Sequence, residues 1–446
     1  MSLRNLFTEK VILPISDLIT RQSVYRNIRF LEKSQWWSHE EIDKYQNEKL
    51  RKLIKHSVTS VPYYKELFAR NNLVIEDIQT KEDLYKIPIL TKEEIKKQGI
   101  NSFLSSNYPK SKTLSASSSG STGEPLFYKT TKDAYSLNIA ANLRGWKWSG
   151  FNIGDRYIKL SQNPRNNTLK KLQDKISNNL YLATNPLIDS NFDYILKEIE
   201  SYKPLIIRCY PDPLLFLARY KKEHPEFNYQ PKSITTTGNT LYPEIRNEIE
   251  EAFGCKIFDS YSCEGNSNVF ECETHNGYHS AEEYGITEIL DEYDNLIHHG
   301  VGRLISTDLY NFAHPFIRYD TQDQVEILGK SCSCKRNLLF IKRILGRSND
   351  IIKSSTGQRF IVHNFTGFFQ TDDPNLKKAI NNFQIVKSSD SNVTFNLVVN
   401  ENYSPDVGEY IVSFWQEQLK CEIRIKILDE ITLTQSGKRK FIINEK

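Results

Sequence analysis

An α/β fold in two parts, a large amino-terminal domain of layered sheets and helices followed by a small α+β carboxy-terminal domain, is what three features of the sequence predict. The chain has 446 residues, more than one hydrophobic core usually organises, so two or three domains are expected, one of them large. The middle of the chain alternates short extended runs with helix-like segments, the pattern of helices layered on a sheet. After Gly346 the pattern changes to two strand-like runs, a helix and a final strand, a module of about a hundred residues. Domains at 1–345 and 346–446 follow, joined by a hinge at Leu345 to Asp350 (LGRSND).

The first hundred residues read as mostly helical. Leu, Ile and Tyr recur among charged residues at helical spacing from Glu40 to Arg70 and from Lys81 to Gln98, and Thr91 with Glu94 makes a capping-box pattern before Ile95. The first 35 residues mix apolar and basic positions. A helix lying on a membrane surface is one reading of them; an amphipathic helix packed on the core is the preferred one. Further on, Pro204 to Tyr210 reads as a strand, Pro213 to Lys222 and Pro243 to Phe253 as helices, and Cys255 to Ser260 as a strand. In the last part, strands are expected at Asn382 to Ser388, Asn392 to Asn400 and Cys421 to Leu428, with a helix near Val407 to Leu419.

Composition narrows the function classes. Hydrophobic residues at 39% and charged residues at 26% give an ordinary globular protein with material for a sizeable core. A formal charge of +4, with lysines interspersed among Asp and Glu, provides no basic arm for nucleic acid. No run approaches the roughly 20 apolar residues of a membrane span, and the start lacks the apolar core of a signal peptide, so a cytoplasmic protein is expected. In that reducing compartment the seven cysteines do not read as a disulfide framework. Oligomeric state is left open, a homodimer included.

The most informative stretch is Leu114 to Tyr128, LSASSSGSTGEPLFY. Glycines let backbone N–H groups turn inward around an anion, and the Ser and Thr hydroxyls add donors without bulk. The spacing is not that of a Walker loop. Phosphate binding is preferred to a flexible linker, because the run leads straight into Pro-Leu-Phe-Tyr.

With that loop the sequence resembles the adenylate-forming (acyl-CoA synthetase) superfamily, in the branch of the phenylacetate-coenzyme A ligases and the capsule polysaccharide biosynthesis (CapK-like) proteins. The resemblance covers nearly the whole chain, starting at Val61-Pro62-Tyr63-Tyr64 and Ile87-Pro88-Ile89-Leu90-Thr91-Lys92. It assigns Ser118, Ser119, Gly120, Ser121, Thr122 and Gly123 to the phosphate loop, Gly238 and Asn239 to the adenine-side turn, and Tyr261 to a ring stacked on adenine. Glu264 is implied to help bind Mg2+, Asp323 to receive the ribose hydroxyls, and Arg347 in Gly346-Arg347-Ser348-Asn349-Asp350 to contact ribose or phosphate at the hinge. Lys438, in Leu433-Thr434-Gln435-Ser436-Gly437-Lys438, is implied to be the adenylation lysine, with Lys440 its competitor.

Departures from the branch pattern are also legible. Glu124 stands where lysine is usual, Asn239 where glutamate is common, and Gln322 where glycine is common. Gln322 is tolerable if its turn needs no positive φ. One residue is missing between Tyr261 and Glu264.

Cys272, His279, Cys332 and Cys334 offer one imidazole and three thiolates, a set suited to tetrahedral Zn2+. His275 competes with His279 for the fourth place, and free buried cysteines are the alternative. A subset of the resembling branch carries the same residues, which there look like a structural zinc site.

The resemblance implies activation of a small carboxylic acid by Mg·ATP as an acyl-adenylate, followed by transfer to coenzyme A, with a possible role in surface polysaccharide synthesis. An amine acceptor on a sugar and a nucleotide-binding relative without ligase activity are the rivals. The acid itself is not legible in any local spacing.

Overall fold

The structure is a computed structural model that describes residues 2–117, 126–161, 164–165, 167–184, 187–263, 268–329, 332–347, 351–354, 359–361, 365, 368–369, 379–389, 392–432 and 440–444. Six helices come first: α1 (Leu3–Phe7), α2 (Leu13–Thr20), α3 (Val24–Ser34), α4 (His39–Ser60), α5 (Pro62–Arg70) and α6 (Lys92–Gln98). The helical period expected from Glu40 to Arg70 divides at Val61, whose extended backbone precedes Pro62 at the first turn of α5. The Lys81 to Gln98 period likewise breaks at Pro88, leaving a 3-10 segment over Lys81–Lys86 and the short α6, with Thr91 accepting from the Glu94 N–H.

The opening segment corrects the reading of residues 1–35. Helix α3 packs as expected, with Val24, Ile28 and Leu31 buried. Residues 3–20 do the opposite: α1, a π turn at Thr8–Ile12 and α2 bury Asn5, Thr8 and Glu9 and expose Leu3, Phe7, Ile15, Leu18 and Ile19.

Strands β1 (Thr113–Ser117) and β2 (Phe127–Thr131) pair as an antiparallel ladder, and helix α7 (Lys132–Trp148) follows. Strands β3 (Tyr157–Ser161), β4 (Asn179–Ala183), β5 (Ile206–Cys209), β6 (Ser233–Thr237) and β7 (Lys256–Ser262) then alternate with α8 (Thr168–Ile176), α9 (Asp189–Tyr202), α10 (Pro211–Glu223) and α11 (Pro243–Phe253). Next come β8 (Asn268–Glu271), β9 (Tyr278–Ser280), β10 (Gly285–Leu290), β11 (Gly300–Asp308), β12 (Tyr319–Ile327), β13 (Phe340–Ile341) and β14 (Arg343–Arg347). They build an eight-stranded sheet in the order β13-β9-β8-β7-β6-β5-β3-β4, parallel from β7 to β4, and a four-stranded antiparallel sheet β10-β11-β12-β14.

Side chains alternate across a strand, so the parallel strands have two unlike faces. Ile158, Leu160, Ile207, Cys209, Ile234 and Ile257 bury one face in a cluster with residues of α9, α10 and α11. The other carries Tyr157, Lys159, Ser161, Arg208 and Thr235.

After the hairpin β15 (Ile351–Lys353) and β16 (Arg359–Ile361), the last part of the chain forms β17 (Ile380–Ser389), β18 (Asn392–Val399), helix α12 (Pro405–Leu419), β19 (Glu422–Ile427) and β20 (Ile442–Asn444). Their sheet runs β19-β18-β17-β20. Phe395, Ile411 and Trp415 fill its core, and Phe441 reaches out to meet the Tyr242 ring at the start of α11, centroids 5.5 Å apart. Among the described residues no helix is long and apolar enough to cross a membrane.

Candidate active site

Parallel strands leave their carboxyl ends free of ladder bonds on one edge of a sheet, where loops can converge on a ligand. Here β6 ends in Gly238 and Asn239, and β7 passes through Tyr261 near its end. Gly238 has φ +87°, and a Cβ on it would lie 2.6 Å from the Tyr210 ring, so this turn requires glycine. Asn239 donates through Nδ2 to the Asp212 carboxylate in the first turn of α10. The departure from glutamate therefore has a local cause: a carboxylate here would face Asp212, whereas an amide donates to it.

Tyr261 and Asp323, about sixty residues apart in sequence, meet directly: the phenol donates to Asp323 Oδ2 at 2.6 Å. That bond ties β7 of the large sheet to β12 of the antiparallel one. Asp323 in turn stands opposite Arg347 in the β12–β14 register. Gly346 has φ +90° and lies against Thr240, two residues past Gly238. The structure thus brings together Gly238, Asn239, Tyr261, Asp323 and the backbone of Arg347.

Beneath this edge, Asp259 is buried and accepts from Thr236 Oγ1 at 2.6 Å and from the Tyr278 phenol at 2.8 Å. Glu271 takes the Asp259 N–H at 2.9 Å and is paired with Arg246 at 2.8 Å. Burial pushes the Asp259 carboxyl up to about 6. This network fixes the ends of β6 and β7 and gives Tyr261 a rigid mount.

The condition attached to Gln322 is not met. The turn at Gln322 does take a positive φ, +63°, a conformation that favours glycine. The Gln322 N–H donates to Asp320 Oδ1 at 2.8 Å, which helps hold the turn that presents Asp323.

The phosphate loop Ser118, Ser119, Gly120, Ser121, Thr122 and Gly123, the departure Glu124, the residues Glu264, Asn349 and Asp350, and Lys438 all lie outside the described residues.

Sequence reading missed the polar face of the sheet. Lys159 and Arg208 are directly opposite each other on β3 and β5. The Arg208 guanidinium stacks 3.8 Å over Trp146. Burial, and then Arg208 itself, push Lys159 down to about 8, and burial lowers Arg208 to about 10. The nearby carboxylate of Asp174 is bonded to Arg165 at 2.7 Å and to Asn179 at 2.7 Å. Next in the row, Thr235 Oγ1 is buried with no hydrogen-bond partner among the described residues. Apolar and polar residues alternate in YIKLS, so strand periodicity was the signal available for Lys159, whereas IIRC has no such alternation.

A second cluster lies in the neighbouring loops. The ligand atoms of Cys272, His279, Cys332 and Cys334 fall within 4.8 Å of one another. Cys272 and Cys332 sulfurs are 3.7 Å apart, and Cys334 Sγ is 3.1 Å from His279 Nε2. His279 Nδ1 lies 3.3 Å from the Leu338 carbonyl, so a proton there leaves Nε2 as a lone pair facing the sulfurs. His275, the competing ligand, instead lies beside Glu271, Nδ1 to Oε1 3.3 Å.

Comparison with known proteins agrees with this architecture. Residues 354–445 match the family model described as the CapK C-terminal domain. Protein CapK of Staphylococcus aureus is 24% identical over 422 residues, covering 90% of this chain and 88% of that one. Phenylacetate-coenzyme A ligase of Pseudomonas putida is 26% identical, over 69% of this chain and 71% of its own length. The chain is thus similar to proteins of the adenylate-forming superfamily, in the branch of the phenylacetate-coenzyme A ligases and CapK. In solved structures, 2-hydroxyisobutyryl-CoA ligase in its postadenylation state, in complex with R3-HIB-AMP, superposes with TM-score 0.74 at 15% identity, covering 92% of this chain and 91% of that one. The same ligase in its thioesterification state gives 0.59.

Proposed function

We propose that this AMP-forming ligase activates a small carboxylic acid at the carboxyl edge of the parallel sheet and hands the acyl group to coenzyme A. The observation that carries the reading is the Tyr261–Asp323 bond at 2.6 Å, which joins two sheets at the place where a nucleoside would be held. Asp323 would accept the ribose hydroxyls, the Gly238–Asn239 turn and Tyr261 would frame adenine, and Ser118 to Gly123 would receive the β and γ phosphates. The substrate carboxylate attacks the α-phosphorus, the bond to the bridging oxygen breaks, and pyrophosphate leaves with Mg2+, which Glu264 would help bind. Catalysis is by positioning and charge stabilisation. The acceptor thiol then attacks the acyl carbon and AMP departs.

An amine acceptor is the second reading. The family model matched over the last part of the chain is that of CapK, a protein of the branch read here as serving surface polysaccharide synthesis. Release of AMP with a panel of amines but not with coenzyme A would select it.

The acid pocket is read as lying on the polar face of the sheet, and its two neighbouring cations set the substrate class. Like charges on adjacent strands repel unless an anion lies between them. Gln162, Asn163, Asn166, Asn185 and Pro186, which flank the ends of β3 and β4, bring no carboxylate. The preferred acids therefore carry a second anionic group. In carboxylate-dependent exchange of pyrophosphate into ATP, such acids are expected to exceed their singly charged analogues by about tenfold or more in kcat/KM, the worth of one charge-assisted contact. Arg208→Met is expected to erase the preference while exchange with the singly charged acids persists. A wild-type enzyme indifferent to the second charge would refute this substrate class without touching the ligase reading.

The cysteine cluster is read as a structural zinc site. Zn–S distances of about 2.3 Å put sulfurs of a tetrahedron about 3.8 Å apart, close to the 3.7 Å between Cys272 and Cys332. Three thiolates and an imidazole close the coordination sphere, so the site holds loops together and does no chemistry. Trp148 connects it to the amino-terminal helices, its indole donating to Gln35 Oε1 at 2.9 Å and its edge meeting His279. Protein purified without added metal is expected to carry about one zinc per chain, and Cys332→Ser to carry none and unfold earlier on heating. Metal-free wild-type protein of unchanged stability would dismiss the site.

A further inference from the structure

Residues 3–20 form an amphipathic helical segment mounted inside out, and we propose that its outward apolar stripe seats the protein on the surface of an anionic lipid bilayer. The stripe consists of Leu3, Phe7, Val11, Ile15, Leu18 and Ile19, which are 87%, 57%, 39%, 52%, 82% and 76% exposed. Steps of four residues drift by about 40° each around an α-helix, which would wind such a row away from one face. The wider π turn at Thr8–Ile12 takes part of that drift back in mid-segment. All six side chains stay on the solvent side.

Partly buried Leu13 packs against the core, and the fully buried residues of the segment, Asn5, Thr8 and Glu9, are all polar. Asn5 Nδ2 donates to Asp155 Oδ1 at 2.7 Å, and Glu9 pairs with Lys147 at 3.2 Å. Thr8 lies so close to Gly154 that a Cβ there would meet its Oγ1 at 2.8 Å. An ordinary surface helix buries its apolar stripe and shows water its polar one. Here the reverse holds, and an exposed apolar row of this length calls for an occupant.

Charge indicates which occupant. Arg4 and Lys10 within the segment, Arg21 just after it, and Arg26 and Arg29 on the following α3 are all exposed. The two carboxylates of the segment turn inward: Glu9 is buried in its ion pair, and half-buried Asp17 accepts the Tyr25 N–H at 2.8 Å. An apolar row flanked by cations, with its acids withdrawn, is the pattern of a helix lying in the headgroup region of an anionic bilayer. A second copy of the chain would bring the same cations to the same row.

The test is flotation of the full-length protein with vesicles of phosphatidylcholine alone or mixed with phosphatidylglycerol. The wild type is expected to float with the anionic vesicles, more weakly as salt rises, and to stay largely in solution with the neutral ones. Leu18→Glu combined with Ile19→Glu is expected to lower its partition about tenfold or more, with an unchanged circular dichroism spectrum and unfolding midpoint, because both side chains are solvent-exposed. Wild-type protein that stays in solution with anionic vesicles overturns the proposal, as does a double variant that binds as well as wild type. Self-association in sedimentation velocity that the double variant loses, without vesicle binding, assigns the face to a second copy and also overturns it.

Discussion

Replacing Lys438 with alanine is expected to lower carboxylate-dependent pyrophosphate exchange by about 10²–10³-fold, the usual worth of one preorganised charge that stabilises a transition state. Lys438 lies outside the described residues, and the nearest described residues follow it in sequence. Three residues on, Phe441 packs on Tyr242, and the Lys440 carbonyl accepts from Gln384 Nε2 at 2.9 Å. Tyr242 follows the Gly238–Asn239 turn by a few residues, and three residues of extended chain span about 10 Å. Because Lys440 is fixed through its backbone, Lys440→Ala is expected to leave exchange within about threefold of wild type. Thioester formation from preformed acyl-adenylate should survive in Lys438→Ala, since we propose that the carboxy-terminal part turns about the hinge expected at Leu345 to Asp350 and carries Lys438 away before the acceptor attacks. Measuring the two half-reactions separately checks this; equal loss in both would point to misfolding or to a different lysine.

Glu283→Leu is expected to destabilise the fold by about 3–5 kcal/mol, because it leaves a buried arginine without its counter-charge. Arg144 and Glu283 are 1% and 0% exposed and lie 2.6 Å apart. Glu283 also accepts from Ser34 Oγ at 2.6 Å, and Arg144 donates to the Leu31 carbonyl at 3.3 Å, so the pair clamps α3 and α7 onto the start of the antiparallel sheet. The cost lies mainly in stranding one charge. Arg144→Leu with Glu283→Leu together should therefore recover at least half of the loss. Urea unfolding of the full chain followed by fluorescence checks the ordering; a double variant less stable than both singles would mean that the pair contributes net stability of its own.

The elements that the sequence revealed best were those with a strong period and clean ends. The helix at Pro243–Phe253 was legible residue for residue, because Pro243 starts it and Gly254, with φ +64°, stops it. In the final αβ module the three expected strands and the helix were legible within two residues, but β15, β16 and β20 were not, and β20 rather than β19 is the last strand. Prolines 62 and 88 were visible, yet the helical period around them was allowed to run through, although a missing N–H divides such runs.

The inside-out mounting of residues 3–20 had no local signature. Periodicity reports that a helix has two faces, but which face turns inward depends on Asp155 and Lys147, more than a hundred residues away. The same limit applies at the site. Gly238, Tyr261 and Asp323 stand in motifs visible along the chain, whereas the stacked Arg208 and its neighbour Lys159 are brought together only by strand pairing. Gln322 failed differently: its φ is set by the β12 turn and cannot be read from the residue type.

The central claim, that this site makes acyl-adenylate, is tested most directly by pyrophosphate exchange with purified full-length protein, Mg·ATP and a panel of aryl, fatty, amino and doubly anionic acids. The account predicts label entering ATP only when an acid is present, with the doubly anionic acids foremost. ATP that binds in calorimetry, with no exchange on any acid, would contradict it and leave a nucleotide-binding relative without ligase activity.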